Sequence, residues 1–277
     1  MRPAGLLLIA ILTFVPTARA PAAVARSAAG AQTADADVYE KFRAWIGSQP
    51  REAQQSDPLE AYRKVLTAAG MPAAEVERQL RVIDQQGQRL EIDRWNRILT
   101  SPNPGFNVKP NAFLVEMVQG VTPGQALDVG MGQGRNAIYL AQHGWTVTGF
   151  DPADKAVAAA EQAAKNSGVT LTTHVLRDDE FDFGRDKWDL IVLSYVGARG
   201  LIPKLYASLK PGGRVVVEAF HRDATKTGPI GALVVYDDNE LLKLFDRFRI
   251  VRYEDTEGMS DFGLRTTRLV RLCAQKP

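Results

Sequence analysis

Residues 127 to 136 read Leu-Asp-Val-Gly-Met-Gly-Gln-Gly-Arg-Asn, with glycine at every second position from Gly130 to Gly134. Glycine at that spacing lets a main chain approach a ligand that any side chain would hold off. A helix starting at Arg135 then offers its free amides to a carboxylate or phosphate. Arg135 and Asn136 either touch such a ligand or simply begin the helix. A dinucleotide-binding turn wants its third glycine at position 135, where this chain has arginine, and here the acidic Asp128 stands just before the turn. Further groups with chemistry to offer follow at intervals: Asp151-Pro152, Asp178-Asp179, Ser194-Tyr195 and His221.

The pattern around these residues says what must position them. Short Val/Ile/Leu-rich runs alternate with helical periodicity, which is the signature of βαβ units around a parallel sheet. Strands are expected at 125–130, 146–151, 171–176, 188–194 and 214–220, with helices at 135–143, 154–167 and 201–209. Lys210-Pro211-Gly212-Gly213 stops the last of these helices. A helix at 239–245 and two alternating stretches, 249–255 and 265–273, close the chain as a hairpin-like pair. Asp128 and Asp151 thereby fall at the carboxyl ends of buried strands beside the switch point, where open α/β sheets bind ligands.

Upstream the periodicity is purely helical. Tyr39, Phe42, Trp45 and Ile46 share one face, Leu59, Tyr62, Val65 and Leu66 repeat it, and a third run carries Val76 to Ile98. Ser101-Pro102-Asn103-Pro104-Gly105 cannot continue a helix, so a boundary is expected there. The resulting division is a helical extension at 35–104 and a catalytic-type α/β domain at 105–277. Residues 26–34, mostly alanine with polar residues, are expected to be a linker. Residues 1–25 have the form of a secretory leader: Arg2, an apolar run from Leu6 to Val15, and alanines around a cleavage point. That run is too short to span a bilayer, so the exported chain keeps no membrane span. No acidic residue precedes Asp35, which leaves a mitochondrial-type targeting segment or a cytoplasmic protein with a misassigned start as the alternatives.

Composition narrows the partners. The net charge of +2 comes from mixed acidic and basic residues, so no basic stripe is present to bind nucleic acid by counterion release. The single cysteine, Cys273, rules out an internal disulfide and a cysteine-rich zinc site. No histidine–carboxylate spacing marks a metal site. The oligomeric state is not legible.

With those residues in view, Leu127–Asn136 resembles the first motif of class I S-adenosylmethionine-dependent methyltransferases. Its extension through Gly-Arg-Asn-Ala-Ile-Tyr-Leu-Ala, Gly144, Val147 and Asp151 is similar to the tellurite-resistance methyltransferase branch. The resemblance implies a Rossmann-like, doubly wound sheet of seven strands, mostly parallel with the last antiparallel, and S-adenosylmethionine as cofactor. It implies that Gly130, Gly132 and Gly134 receive the amino-acid tail, with Asp128 orienting its ammonium directly or through a water. Asp151 then takes the ribose hydroxyls, and Asp178, or its neighbour Asp179, the adenine amine. Pro152 shapes the turn, and Ser194 faces the same crevice.

Methyl transfer from a sulfonium is a displacement on an already activated carbon and needs no fixed base, but His221 at the mouth of the cleft is the best-placed candidate. The fourth strand ends Ser194-Tyr195-Val196-Gly197 and lacks the Asp/Asn-Pro-Pro-aromatic motif of enzymes that methylate base amines in DNA. A small-molecule acceptor is therefore expected, entering between the 221–237 loop and residues 106–111, with the N-terminal helices as lid or scaffold. Two other readings fit parts of the pattern: an oxidoreductase using a nicotinamide cofactor, and a non-catalytic envelope protein that retained the fold.

Overall fold

The computed structural model describes residues 28–49, 57–227, 230 and 234–277. The chain divides into two compact units: residues 1–91 with 228–232, and residues 92–227 with 233–277. The segment read as a leader lies outside the described residues.

The first unit is helical, with α1 (Ala28–Ser48), α2 (Pro58–Ala68) and most of α3 (Ala73–Leu99). α1 begins at Ala28, so the stretch expected to be a linker at 26–34 is already helical from that residue. Alanine has the highest intrinsic helix propensity, and the continuing helix supplies the nucleus that an isolated alanine tract lacks. α2 starts where it does because the Asp57 carboxylate accepts the Glu60 amide at 3.0 Å and proline fills the first helical position. The apolar faces meet in a core of Val38, Phe42, Ile46, Tyr62, Leu66, Val76, Leu80 and Ile83. The Phe42 ring stands edge-on to Tyr62 at 5.2 Å. Arg43 and Glu91 form an ion pair of 2.8 Å within this unit, both side chains almost fully buried.

α3 crosses between the units without a break, so the boundary lies between Glu91 and Ile92, inside the helix and upstream of the proline segment expected to mark it. The reason is packing: Trp95 and Leu99, on its last two turns, are buried in the second unit. A proline break ends a helix but does not decide which core its final turns join.

The second unit is the expected α/β domain. A short helix, α4 (Ala112–Val118), precedes β1 (Gln125–Val129), α5 (Arg135–Gln142), β2 (Thr146–Phe150), α6 (Asp154–Asn166), β3 (Thr172–His174) and β4 (Trp188–Ser194). There follow α7 (Ile202–Ser208), β5 (Leu209–His221), β6 (Val235–Tyr236), α8 (Glu240–Leu244), β7 (Arg249–Met259) and β8 (Thr266–Gln275). The sheet order is β3-β2-β1-β4-β5-β8-β7, with β6 attached to the end of β5. β8 runs antiparallel to both neighbours and the remaining pairings are parallel, as expected, with the two-residue β6 added. Alternate residues of β1, β4 and β5 fill two separate cores, Leu127, Ile191 and Val217 on one face and Ala126, Val192 and Val216 on the other. That two-sided burial explains the continuous apolar runs in the sequence. Among the described residues no helix is long and apolar enough to cross a membrane.

The Lys210–Gly213 turn, expected only to stop a helix, is drawn into β5. α4 escaped the sequence reading because it is only seven residues long; the Asn111 side chain caps it by accepting the Leu114 amide at 2.9 Å.

The turn after β1 limits what the fold tolerates. Gly134 has φ +80°, and a β-carbon there would lie 2.8 Å from that of Ala160 on α6. Gly134→Ala therefore combines left-handed strain with overpacking and should destabilise the domain by about 2 kcal/mol, read from urea or thermal unfolding. A variant as stable as the parent would contradict this account of the turn.

Candidate cofactor site

The chain leaves β1 at the point where the strand order reverses, so the β1–α5 turn opens into the crevice between β1 and β4. Gly130, Gly132 and Gly134 all have positive φ. Val196, Leu99 and Ala160 crowd the places where their β-carbons would stand, so these glycines serve the packing of the protein on itself as well as the approach of a ligand. The Met131 amide donates to the Phe150 carbonyl at 3.0 Å, tying the turn to the end of β2.

Asp151 completes that tie. Its Oδ2 accepts the Gly132 amide at 2.9 Å and its Oδ1 accepts the Ala153 amide at 2.8 Å. Each carboxylate oxygen has a second lone pair, so this use of Asp151 is compatible with a hydroxyl on each. Burial pushes its pKa up to about 6, against the pull of the two amides. Asp128 is also buried, and its Oδ2 has no hydrogen-bond partner. Burial raises its pKa to about 7, with Arg135 and the Ala137 amide at the start of α5 acting in the opposite direction.

Arg135 and Asn136 start α5, and both side chains do more than begin a helix. Asn136 accepts the Asn111 amide at 2.9 Å and donates to Ser194 Oγ at 3.1 Å, so it joins the segment before α4 to the end of β4. Arg135 donates to the Lys109 carbonyl at 2.9 Å and pairs with Asp261 at 2.8 Å. Asp261 lies in the tip between β7 and β8, which sequence reasoning left unassigned. Around it Asn111 donates to both Asp261 and Glu218 at 2.8 Å, Tyr195 donates to Glu218 at 2.7 Å, and Arg271 pairs with Glu218 at 2.6 Å. Tyr195 has φ +59°, a strained conformation for a non-glycine residue at the end of a strand beside a site. Burial, then Glu218 and Asp261, hold its phenol well above the usual range and keep it a neutral donor.

Apolar groups roof this network. Phe262 stacks on Phe106 at 5.3 Å and meets Trp95 and Tyr195 edge-on at 6.2 and 5.2 Å. On α3, Leu99 stands over Gly132, and Asn96 caps α6 by accepting the Lys155 amide at 2.9 Å while donating to Asp154 at 2.6 Å. No motif announces these roles, because residues of α3 reach the site only through tertiary packing.

The two acids after β3 differ. Asp179 is held by Arg177 through hydrogen bonds of 2.9 and 3.0 Å and its pKa is lowered by that contact, whereas Asp178 is half-buried with its pKa raised by burial and by Asp179. Asp178 is the freer of the pair. Pro152 lies between Asp151 and the Ala153 amide that Asp151 accepts, at the start of the turn into α6.

His221 is buried, and neither ring nitrogen is free. The Asp223 amide lies 3.1 Å from Nδ1, and Nε2 lies 3.1 Å from Asp238 Oδ1. The expected general base is thus engaged in a network of its own. His221, Asp238 and Asp255 bring potential ligand atoms within 4.8 Å of one another, a juxtaposition that the sequence spacing does not suggest. The Arg268 guanidinium already bridges Asp223, Asp238 and Asp255 at 2.6–2.8 Å, so a fixed cation balances these acids.

Residues 107–264, more than half of the chain, match the family model described as Tellurite resistance protein TehB. A probable S-adenosyl-L-methionine-dependent methyltransferase TehB of Haemophilus influenzae is 24% identical over 153 residues, 52% of this chain and 53% of the relative. A ubiquinone biosynthesis O-methyltransferase of Rhizobium leguminosarum bv. trifolii is 27% identical over 154 residues, 52% of this chain and 60% of the relative. The chain thus spans little more than half the length of these relatives. Among solved structures, the N-methyltransferase NodS of Bradyrhizobium japonicum WM9, in complex with S-adenosyl-l-homocysteine, superposes with a TM-score of 0.52 at 20% identity over 67% of this chain and 98% of that one, a likeness of fold. With the switch-point turn, the paired acids and the antiparallel β8 in place, the chain belongs to the TehB family of class I S-adenosylmethionine-dependent methyltransferases.

Proposed function

We propose that this protein transfers a methyl group from S-adenosylmethionine to a small-molecule acceptor by in-line displacement. The observation that carries the reading is Asp128 Oδ2, a buried carboxylate oxygen with no partner beneath the glycine turn. A buried acceptor left unpaired is costly unless a ligand completes it, and a cationic ammonium is the group that does so most strongly. The pyrophosphate of a dinucleotide would place negative charge beside that oxygen, which weighs against the oxidoreductase alternative.

The remaining residues fit the rest of the cofactor. Asp151 takes the ribose hydroxyls on the lone pairs that its turn amides leave open, and Asp178 takes the adenine amine. When bound, the cofactor supplies a methyl group already activated on a sulfonium, so the protein contributes alignment and dryness. Phe106, Phe262, Trp95 and Tyr195 keep water from the carboxyl end of β4. Because His221 is committed to Asp223 and Asp238, its part is to hold the segment after β5 against β8 through Arg268. The acceptor is proposed as a small molecule because the mixed surface charge gives no track for a nucleic acid. Residues 1–25 are proposed as an export leader, and the mass of the mature N-terminus tests that assignment.

Calorimetric titration with S-adenosylmethionine should give binding that Asp151→Asn weakens by about tenfold or more, since one charge-assisted bond is lost and the turn keeps an acceptor. No heat of binding to the wild-type protein would overturn the function proposed.

The two buried acids also fix the pH dependence. Both must be ionised to hold the cofactor, so affinity should rise from pH 5.5 to 8 as groups near 6 and 7 lose their protons. A dissociation constant that does not change over this range would count against the assignment.

The stability of the ligand-free protein should move the other way. A carboxyl whose folded pKa exceeds its unfolded value binds more protons when folded at any pH between the two, so its contribution to stability is full below the unfolded pKa and is lost as pH rises from there through the folded pKa. Asp128→Asn should therefore raise the unfolding temperature at pH 8, by about 1–3 kcal/mol of stability, and give a smaller gain at pH 5, while removing cofactor binding. A variant less stable than wild type at pH 8 would refute this.

A further inference from the structure

Trp95 stands between the glycine turn and the aromatic roof. The last two turns of α3 are held at three points: Leu99 lies over Gly132, Asn96 bonds Asp154 and Lys155 of α6, and Trp95 meets Phe262 edge-on at 6.2 Å. This anchoring keeps the ring from turning out to water. Trp95 is 8% exposed, and its Nε1 is buried with no hydrogen-bond partner. An indole nitrogen can only donate, and a buried one ordinarily has an acceptor, so this orphan marks a place where a ligand's acceptor atom belongs.

The surroundings say what kind of atom that is. The Arg94 guanidinium lies over the Trp95 ring at 5.5 Å, and its positive charge favours an anion at the N–H. Beside Trp95, Phe262 stacks on Phe106 at 5.3 Å and meets Tyr195 edge-on at 5.2 Å. Walls made of rings suit a flat aromatic ligand.

Among the described residues, none beside the roof is free to take a proton from such a ligand. The Tyr195 hydroxyl donates to Glu218 and accepts the Asp261 amide, Glu218 is neutralised by Arg271 at 2.6 Å, and both ring nitrogens of His221 lie 3.1 Å from partners. Asp128 and Asp151 serve the cofactor. An acceptor bound here has to arrive already ionised.

We infer that Trp95 is an acceptor-binding residue and that the acceptor is an aromatic anion, an aryl thiolate or an acidic phenolate, whose charged atom accepts the Trp95 N–H. One lone pair of that atom takes the N–H and another attacks the methyl carbon. The carbon–sulfur bond of the sulfonium breaks with its electron pair going to the cofactor's sulfur. A cation and an anion thus become a thioether and a neutral methyl sulfide or ether, the acceptor's proton having gone to water beforehand.

The inference rests on the methyl-donor reading, and calorimetry alongside initial rates keeps the two apart. At saturating S-adenosylmethionine and neutral pH, wild-type protein should methylate thiophenol and para-nitrophenol with kcat/KM about tenfold or more above that for unsubstituted phenol, which stays protonated. Trp95→Phe keeps a ring against Phe262 and loses only the N–H. It should lower kcat/KM for thiophenol by about tenfold while binding S-adenosylmethionine as wild type does. Unchanged rates in Trp95→Phe, or a parallel loss of S-adenosylmethionine affinity, would refute the acceptor role of Trp95 and leave the cofactor reading standing. Methylation of tellurite or phenol in preference to the ionised aromatics, or of none of the four, would refute the acceptor class. If S-adenosylmethionine gives no heat with wild type, both readings fall. The wild-type comparison requires no variant to fold.

Discussion

Two carboxylates in one dry corner set the terms for the rest of this domain. Asp128 is the penultimate residue of β1 and Asp151 follows its neighbour β2, and both are buried where β1 and β2 lie side by side. Burying a charge is expensive unless it is paired or hydrogen-bonded. The fold meets that cost for Asp151 with two amides from its own turns. It leaves Asp128 partly unmet, with an oxygen unpartnered and a carboxyl group that holds its proton to nearly neutral pH. Binding sites commonly carry such a deficit, because groups pre-arranged for a ligand are under-satisfied without it.

The glycine turn follows from the same constraint. To deliver the Gly132 amide to Asp151 and the Met131 amide to Phe150, the chain must reverse within a few residues in left-handed conformations, under Val196, Leu99 and Ala160. Side chains on those three glycines would both strain the backbone and meet their neighbours. The motif is therefore as much a packing solution as a ligand cradle.

The opposite wall depends on the antiparallel strand. Because β8 returns beside β5 against the direction of the other strands, the β7–β8 tip comes back to the ligand end of the sheet and brings Asp261 and Phe262 to Arg135 and Phe106. One polar network then links β4, β5, the segment before α4 and the tip, so the roof and the floor of the crevice share residues. His221 belongs to a separate network with Asp223, Asp238 and Arg268.

Local chemistry carried much of this into the sequence. Alternating apolar runs gave the sheet because strands buried on both faces admit little else, and the glycine spacing with Asp128 and Asp151 gave the switch-point site because strand ends lie next to turns in the chain. Features that depend on distant segments were not legible. The membership of Ile92–Leu99 in the second unit, the helical continuation upstream to Ala28, and the coming together of His221, Asp238 and Asp255 have no local signature. Nor does the difference in surroundings between Asp178 and Asp179, since Arg177 captures Asp179. The sequence by itself determined the fold class and the methyl-donor turn, because periodicity and backbone freedom are properties of neighbouring residues. Only the tertiary structure decided which charges are buried, paired or left unpartnered, because desolvation and hydrogen bonding are set by whatever segments the fold brings together.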